Sequence, residues 1–145
     1  MLTSTRTAAA ALAATALIAL AGCSSSPTGT AEAVPIKAAT APQRVDAQAF
    51  AQVVAAPGVQ IIDVRTPEEF AEGYIEGAVN YNLQGPDFAT QVAGLDPAGT
   101  YAVYCRSGNR SQAAVDAMRQ AGLTSVYELQ TGIVGWQEAG LPVVR

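Results

Sequence analysis

A chain of 145 residues accommodates one domain with an extension, at the usual span of about 100–200 residues per domain. It is 50% hydrophobic and only 14% charged, with a net charge of −4, a balance that argues against nucleic acid as a partner. No histidine occurs, which excludes a Ser-His-Asp triad and a Cys-His dyad, and the 2 cysteines alone make a poor zinc site.

The chain opens on a processing segment. Arg6 supplies a weakly basic start, and Ala8 to Ala21 is a run of small and apolar residues. It is shorter than the ~20 residues that a membrane span requires. The run closes on Leu20-Ala21-Gly22-Cys23, which resembles the bacterial lipoprotein signal, with cleavage before Cys23 and diacylglycerol on its sulfur. An ordinary secretory signal, cut after a small residue, is the alternative. Residues 1–22 are therefore expected to be a lipoprotein signal peptide. Residues 23–43, rich in Ser, Thr, Ala and Pro, are expected to be a disordered, lipid-anchored linker. The expected location is outside the cytoplasm, on the bacterial cell membrane. With Cys23 consumed, Cys105 is the one thiol left, so no intramolecular disulfide forms even in an oxidising compartment.

The folded part is expected over 44–145. Asp46 is placed to cap a helix over Ala47 to Val54, whose apolar face carries Phe50, Val53 and Val54. Pro57-Gly58 turns the chain into Val59 to Val64, a strand without polar alternation and so central in a parallel sheet. Pro67 starts a short helix over Glu68 to Glu72, Ala78 to Leu83 reads as a strand, and Pro86 to Ala93 as a weak helix. Tyr101 to Tyr104 is a buried strand behind Pro97 and Gly99. A helix follows over Gln112 to Gln120, stopped by Gly122, then a strand at Ser125 to Leu129 and a last short helix around Trp136. Alternating strands and helices predict an α/β domain: a central parallel sheet with helices on both faces, in three layers. Sites in such sheets lie beyond the carboxyl ends of the strands, the rim that Asp63 and Cys105 share.

The chemistry concentrates at Cys105-Arg106-Ser107-Gly108-Asn109-Arg110-Ser111, between the Tyr101 strand and its helix. Helix-start amides without intrahelical partners, together with the helix dipole, stabilise an anion there. Arg106 and Arg110 are expected to push the same way, toward a Cys105 thiolate. A small apolar residue closing a core strand is the plainer reading of Cys105, but that needs no flanking arginines. Asp63 reads as structural, accepting from loop amides or from Arg110. Arg65 and Glu69 are spaced for an ion pair at a helix start.

This loop resembles the active-site loop of rhodanese-like (sulfurtransferase) domains. The resemblance extends over Ile61-Ile62-Asp63-Val64-Arg65, Glu68-Glu69-Phe70, Gly73 to Asn80 and Gly132-Ile133-Val134-Gly135-Trp136, in family order. It implies a persulfide on Cys105, with Arg106, Ser107, Gly108, Asn109, Arg110 and Ser111 as the substrate-binding loop and Asp63 and Arg65 in support. It implies no metal and no cofactor, a small anionic donor such as thiosulfate, a thiol or cyanide-like acceptor, and a monomer. Tyr74 stands where many such domains have His, and Thr131 replaces a common glycine. Three classes stay open: a sulfurtransferase; a phosphatase or arsenate reductase, whose related loop is one residue longer; and a sensing module that docks a partner.

Overall fold

The computed structural model describes residues 39–145. The expected signal peptide, the lipid site at Cys23 and the expected linker as far as residue 38 lie outside the described residues. In chain order the elements are β1 (Gln43–Val45), α1 (Ala47–Val54), β2 (Val59–Asp63), α2 (Pro67–Ala71), β3 (Ala78–Asn80), α3 (Phe88–Ala93), β4 (Thr100–Tyr104), α4 (Asn109–Gln120), β5 (Val126–Leu129) and α5 (Gly132–Glu138).

The strands form one five-stranded sheet in the order β1-β5-β4-β2-β3, and every neighbouring pair is parallel. Alternation along the strands divides the core, since successive side chains point to opposite faces. Ile61, Ala102, Tyr104, Tyr127 and Leu129 pack with Phe50 of α1 and with Ile133 and Trp136 of α5. Ile62, Val64, Val103 and Val126 pack on the other face with Phe88 of α3 and with Ala114 and Met118 of α4. Helices thus cover both faces of a parallel sheet, the expected three-layer α/β arrangement.

The elements start where their capping chemistry lies. Asp46 Oδ1 accepts from the Ala49 amide at 2.8 Å and opens α1. Thr66 and Glu69 form a reciprocal capping box at the start of α2, with Pro67 in its first turn. Trp136 is buried, edge-on to Phe50 with ring centroids 6.1 Å apart, and its Nε1–H donates to the Pro142 carbonyl at 2.8 Å.

Two boundaries differ from the sequence expectation. Residues before Arg44 already belong to the fold: Gln43 is in β1, and the buried Ala39 donates its amide to Ser125 Oγ at 3.1 Å. β1 is three residues long and borrows its register from β5, so no periodicity of its own announces it. Helix α4 begins at Asn109 and not near Gln112, which makes Asn109, Arg110 and Ser111 the first turn of a helix. Gly108, at φ 91°, is its N-cap.

The strand order places the site. From β2 the chain moves outward to β3, then crosses back to β4 on the other side of β2. That reversal is a topological switch point, where the crevice beyond the strand ends opens. Asp63 ends β2, and Cys105 follows β4 directly.

Candidate active site

Cys105 leaves the sheet on the α4 face, packed among Ile62, Val103 and Ala114. Its Sγ accepts the Gly108 amide at 3.1 Å, so the chain curls back over the sulfur within three residues. That turn needs the left-handed backbone of Gly108, and a Cβ there would strike the Gln130 carbonyl. Burial pushes the Cys105 thiol up. Hydrogen bonding from the Ser111 side chain and from the amides of Ser111, Ser107 and Gly108 outweighs it, and the thiol sits below its ordinary value. The Ser111 hydroxyl and the loop amides together hold it there.

The loop is held from outside by α5. Ile133 donates its amide to the Cys105 carbonyl at 2.8 Å, and Val134 donates to the Arg106 carbonyl at 3.2 Å. With the Arg106 carbonyl engaged outward, the Ser107 amide that follows it faces the sulfur. Gly132 permits the contact: at φ 60°, a Cβ on it would collide with the Arg106 carbonyl and the Ser107 amide. Sequence reasoning missed this clamp. The Gly132 next to a buried Ile133 was its one signal.

The arginine and carboxylate partners are exchanged relative to expectation. Asp63 accepts from the Arg65 amide at 2.9 Å and from Arg65 Nη2 at 2.6 Å, and Arg65 Nη2 also donates to the Gly73 carbonyl at 2.7 Å. Asp63 does not take Arg110. Arg110 instead forms a two-pronged pair with Glu69, at 2.6 and 2.7 Å. The Arg110 hydrogen bonds hold the Glu69 carboxyl down to about 2. The expected Arg65–Glu69 pair is therefore not the one formed. The reason is reach: Arg65 lies buried against Asp63 on the α1 side of the sheet, with its guanidinium 5.7 Å from the Tyr104 ring centre. Asp63 and Cys105 share a rim but stand on opposite faces.

Arg106 is exposed and forms no ion pair among the described residues. It lines a polar cavity of about 940 Å³ with Arg65, Glu69, Ile133, Val134 and Arg145. Ser107 and Asn109 are exposed at the loop's edge, while Ser111 is fully buried beneath it.

The chain matches the family model for the rhodanese-like domain over residues 46–139. It belongs to the rhodanese-like family. Thiosulfate sulfurtransferase 16, chloroplastic, of Arabidopsis thaliana is 38% identical over 95 residues, covering 59% of this chain and 79% of that protein. An uncharacterized protein of Synechocystis sp. is 36% identical over 89 residues and 60% of this chain, but 48% of its own length, so the chain spans about half of that relative. Among solved structures, a rhodanese-related protein from Thermoplasma volcanium aligns with a TM-score of 0.63 at 31% identity, over 70% of this chain and 97% of that one.

Two residues that depart from the rhodanese-like pattern have partners of their own. Tyr74 stacks on Phe70, with centroids 4.1 Å apart, and pairs through its backbone with Val144. Thr131 turns onto α5, where its side chain occupies the space beside Gly135, and it does not line the cavity.

Proposed function

We propose that this rhodanese-like domain is a sulfurtransferase that moves a sulfane sulfur from a small anionic donor such as thiosulfate to a thiophilic acceptor. The Cys105 thiolate attacks the donor's outer sulfur, the donor S–S bond breaks, and sulfite leaves with the electron pair. A nucleophile such as a thiolate or cyanide then takes the outer sulfur of the persulfide, and the Cys105 thiolate returns. The observation that carries this reading is a sulfur faced by loop amides, Gly108 N–H at 3.1 Å, in a loop with four residues between Cys105 and Arg110. Donors fixed before the reaction act only where the charge sits, and these sit around one sulfur atom. Arg106, facing the cavity, is the side chain suited to draw in the donor's sulfonate. The names of the relatives support the same transfer.

The geometry speaks against a phosphatase. Such a site turns its loop arginine on the oxyanion, and here Arg110 is engaged by Glu69 on both prongs. A sensing module needs no ionisable sulfur, and this one is kept ionisable. We further infer an extracytoplasmic protein held on the cell membrane by lipid on Cys23, a reading supported by Leu20-Ala21-Gly22-Cys23.

Intact mass after incubation with thiosulfate tests the transfer. A gain of one sulfur atom is expected, lost in Cys105→Ser because an alcohol without a base is a poor nucleophile. Arg106→Ala should raise the KM for thiosulfate and leave loading from a neutral polysulfide intact. Aryl-phosphate turnover exceeding thiosulfate-to-cyanide transfer, both dependent on Cys105, would overturn the reading.

A further inference from the structure

Beneath the loop lies a chain of polar groups that the proposed transfer does not use. Cys105 Sγ–H donates to Ser111 Oγ at 3.5 Å, and the Ser111 hydroxyl donates to Glu128 Oε1 at 2.6 Å. Arg44 Nε donates to the other carboxylate oxygen, Oε2, at 2.7 Å. Cys105, Ser111 and Glu128 are all buried, and Arg44 is half-exposed at the outer end. Gln112, with its amide oxygen turned to the guanidinium, and the Gln130 carbonyl hold Arg44 in place.

A serine hydroxyl has one proton to give. Turned to the sulfur, it would stabilise a thiolate as a charge-assisted donor. The short contact to a charged carboxylate against a long one to sulfur decides where the proton goes. We propose that Glu128 is a positioning residue for Cys105: anchored by Arg44, it competes with the sulfur for the Ser111 hydroxyl proton, weakens that donor's support of the thiolate, and so restrains ionisation. The thiol is kept reactive and short of permanently ionised.

The other charges around the sulfur are accounted for. On α4, Arg110 is paired with Glu69 of α2. On the loop, Arg106 points to the exposed rim. On β2, Asp63 is paired with Arg65 across the sheet. The stretch of α5 that clamps the loop, Gly132 to Trp136, carries no charge. Glu128 on β5 is the carboxylate that reaches the sulfur through a single hydroxyl.

The test is Glu128→Gln, which keeps shape and removes the charge. Arg44 Nε, a donor, selects the amide oxygen, and the amide NH₂ then faces Ser111 Oγ. That turns the Ser111 proton onto the sulfur. The midpoint of the Cys105 alkylation rate against pH should fall by about one unit or more, the scale of one hydrogen bond to a charged group. In a Ser111→Ala background the same substitution should move the midpoint much less, since the hydroxyl that transmits the change is gone. Ser111→Ala alone should raise it by well under a unit, because that proton is drawn mostly to Glu128. An unchanged or raised midpoint in Glu128→Gln would overturn the proposal. So would an equal drop in both backgrounds, or a rise of about a unit in Ser111→Ala alone, an arm that does not depend on Glu128→Gln folding. The inference rests on Cys105 being the reacting thiol. Alkylation reads that thiol and not turnover, so this proposal can fail while the sulfurtransferase reading stands.

Discussion

At the scale of single residues, the pair of Arg110 and Glu69 ties the loop helix to α2 across 41 positions of sequence. Both side chains are about a quarter exposed, at 26% and 25%, so water screens the pair but does not dissolve it. Glu69 also accepts from the Thr66 amide at 3.2 Å, so one carboxylate caps α2 and anchors α4. The Arg110 hydrogen bonds hold its folded value at about 2, below the ordinary 4.5. A depressed carboxyl contributes stability that is present above its unfolded value and lost as pH falls through its folded one. Wild-type protein should therefore lose stability between about pH 4.5 and 2 more steeply than Glu69→Gln. At neutral pH Glu69→Gln should cost about 1–2 kcal/mol, the low end for charged hydrogen bonds at a part-exposed site. Denaturant titrations across that range check it, and parallel pH curves for the two proteins would remove the pair from the account.

At the scale of elements, α5 is the support that shapes the loop. Two of its first amides hold the carbonyls of Cys105 and Arg106, and a short seven-residue helix suffices because Ile133 and Trp136 fasten it in the core. Gly132→Ala should push α5 off the loop. The left-handed backbone alone costs roughly 1–2 kcal/mol in a residue with a Cβ, and the collision with Arg106 and Ser107 adds to it. The Cys105 alkylation midpoint should rise, as the inward amides lose their alignment. Asp46→Ala is the control: losing the α1 cap costs about 1 kcal/mol, at a helix that packs on the opposite face from Cys105. Its midpoint should not move. Equal midpoints in the two variants would show that α5 merely stabilises the fold.

At the scale of the molecule, the sheet was legible because its central strands are short segments rich in apolar residues without polar alternation, such as Val59 to Val64, set off by Pro and Gly. β1 was not, since a three-residue edge strand takes its pairing from a partner 84 positions away in sequence. The reactive cysteine was legible from strand, loop and helix in succession. Its partners were not: spacing on one helix suggested Arg65 with Glu69, but which arginine meets which carboxylate is set by the face of the sheet each occupies. The N-terminal reading stays at the level of sequence, and it has a decisive experiment. If Cys23 carries diacylglycerol, two acyl chains hold the domain far more firmly than the marginal, reversible binding of one chain, because each buried CH₂ contributes about 0.8 kcal/mol. The protein should then stay with membranes through a high-salt wash, which strips charge-held proteins. Cys23→Ser removes the sulfur that accepts the lipid, and the rhodanese-like domain should pass to the soluble fraction with its fold intact. Thiol counting gives a second readout: denatured mature protein should show one free thiol, at Cys105, and Cys105→Ser should show none, because the Cys23 sulfur is already a thioether. A second thiol, or a Cys23→Ser protein that remains on the membrane, would mean that the anchor is not there.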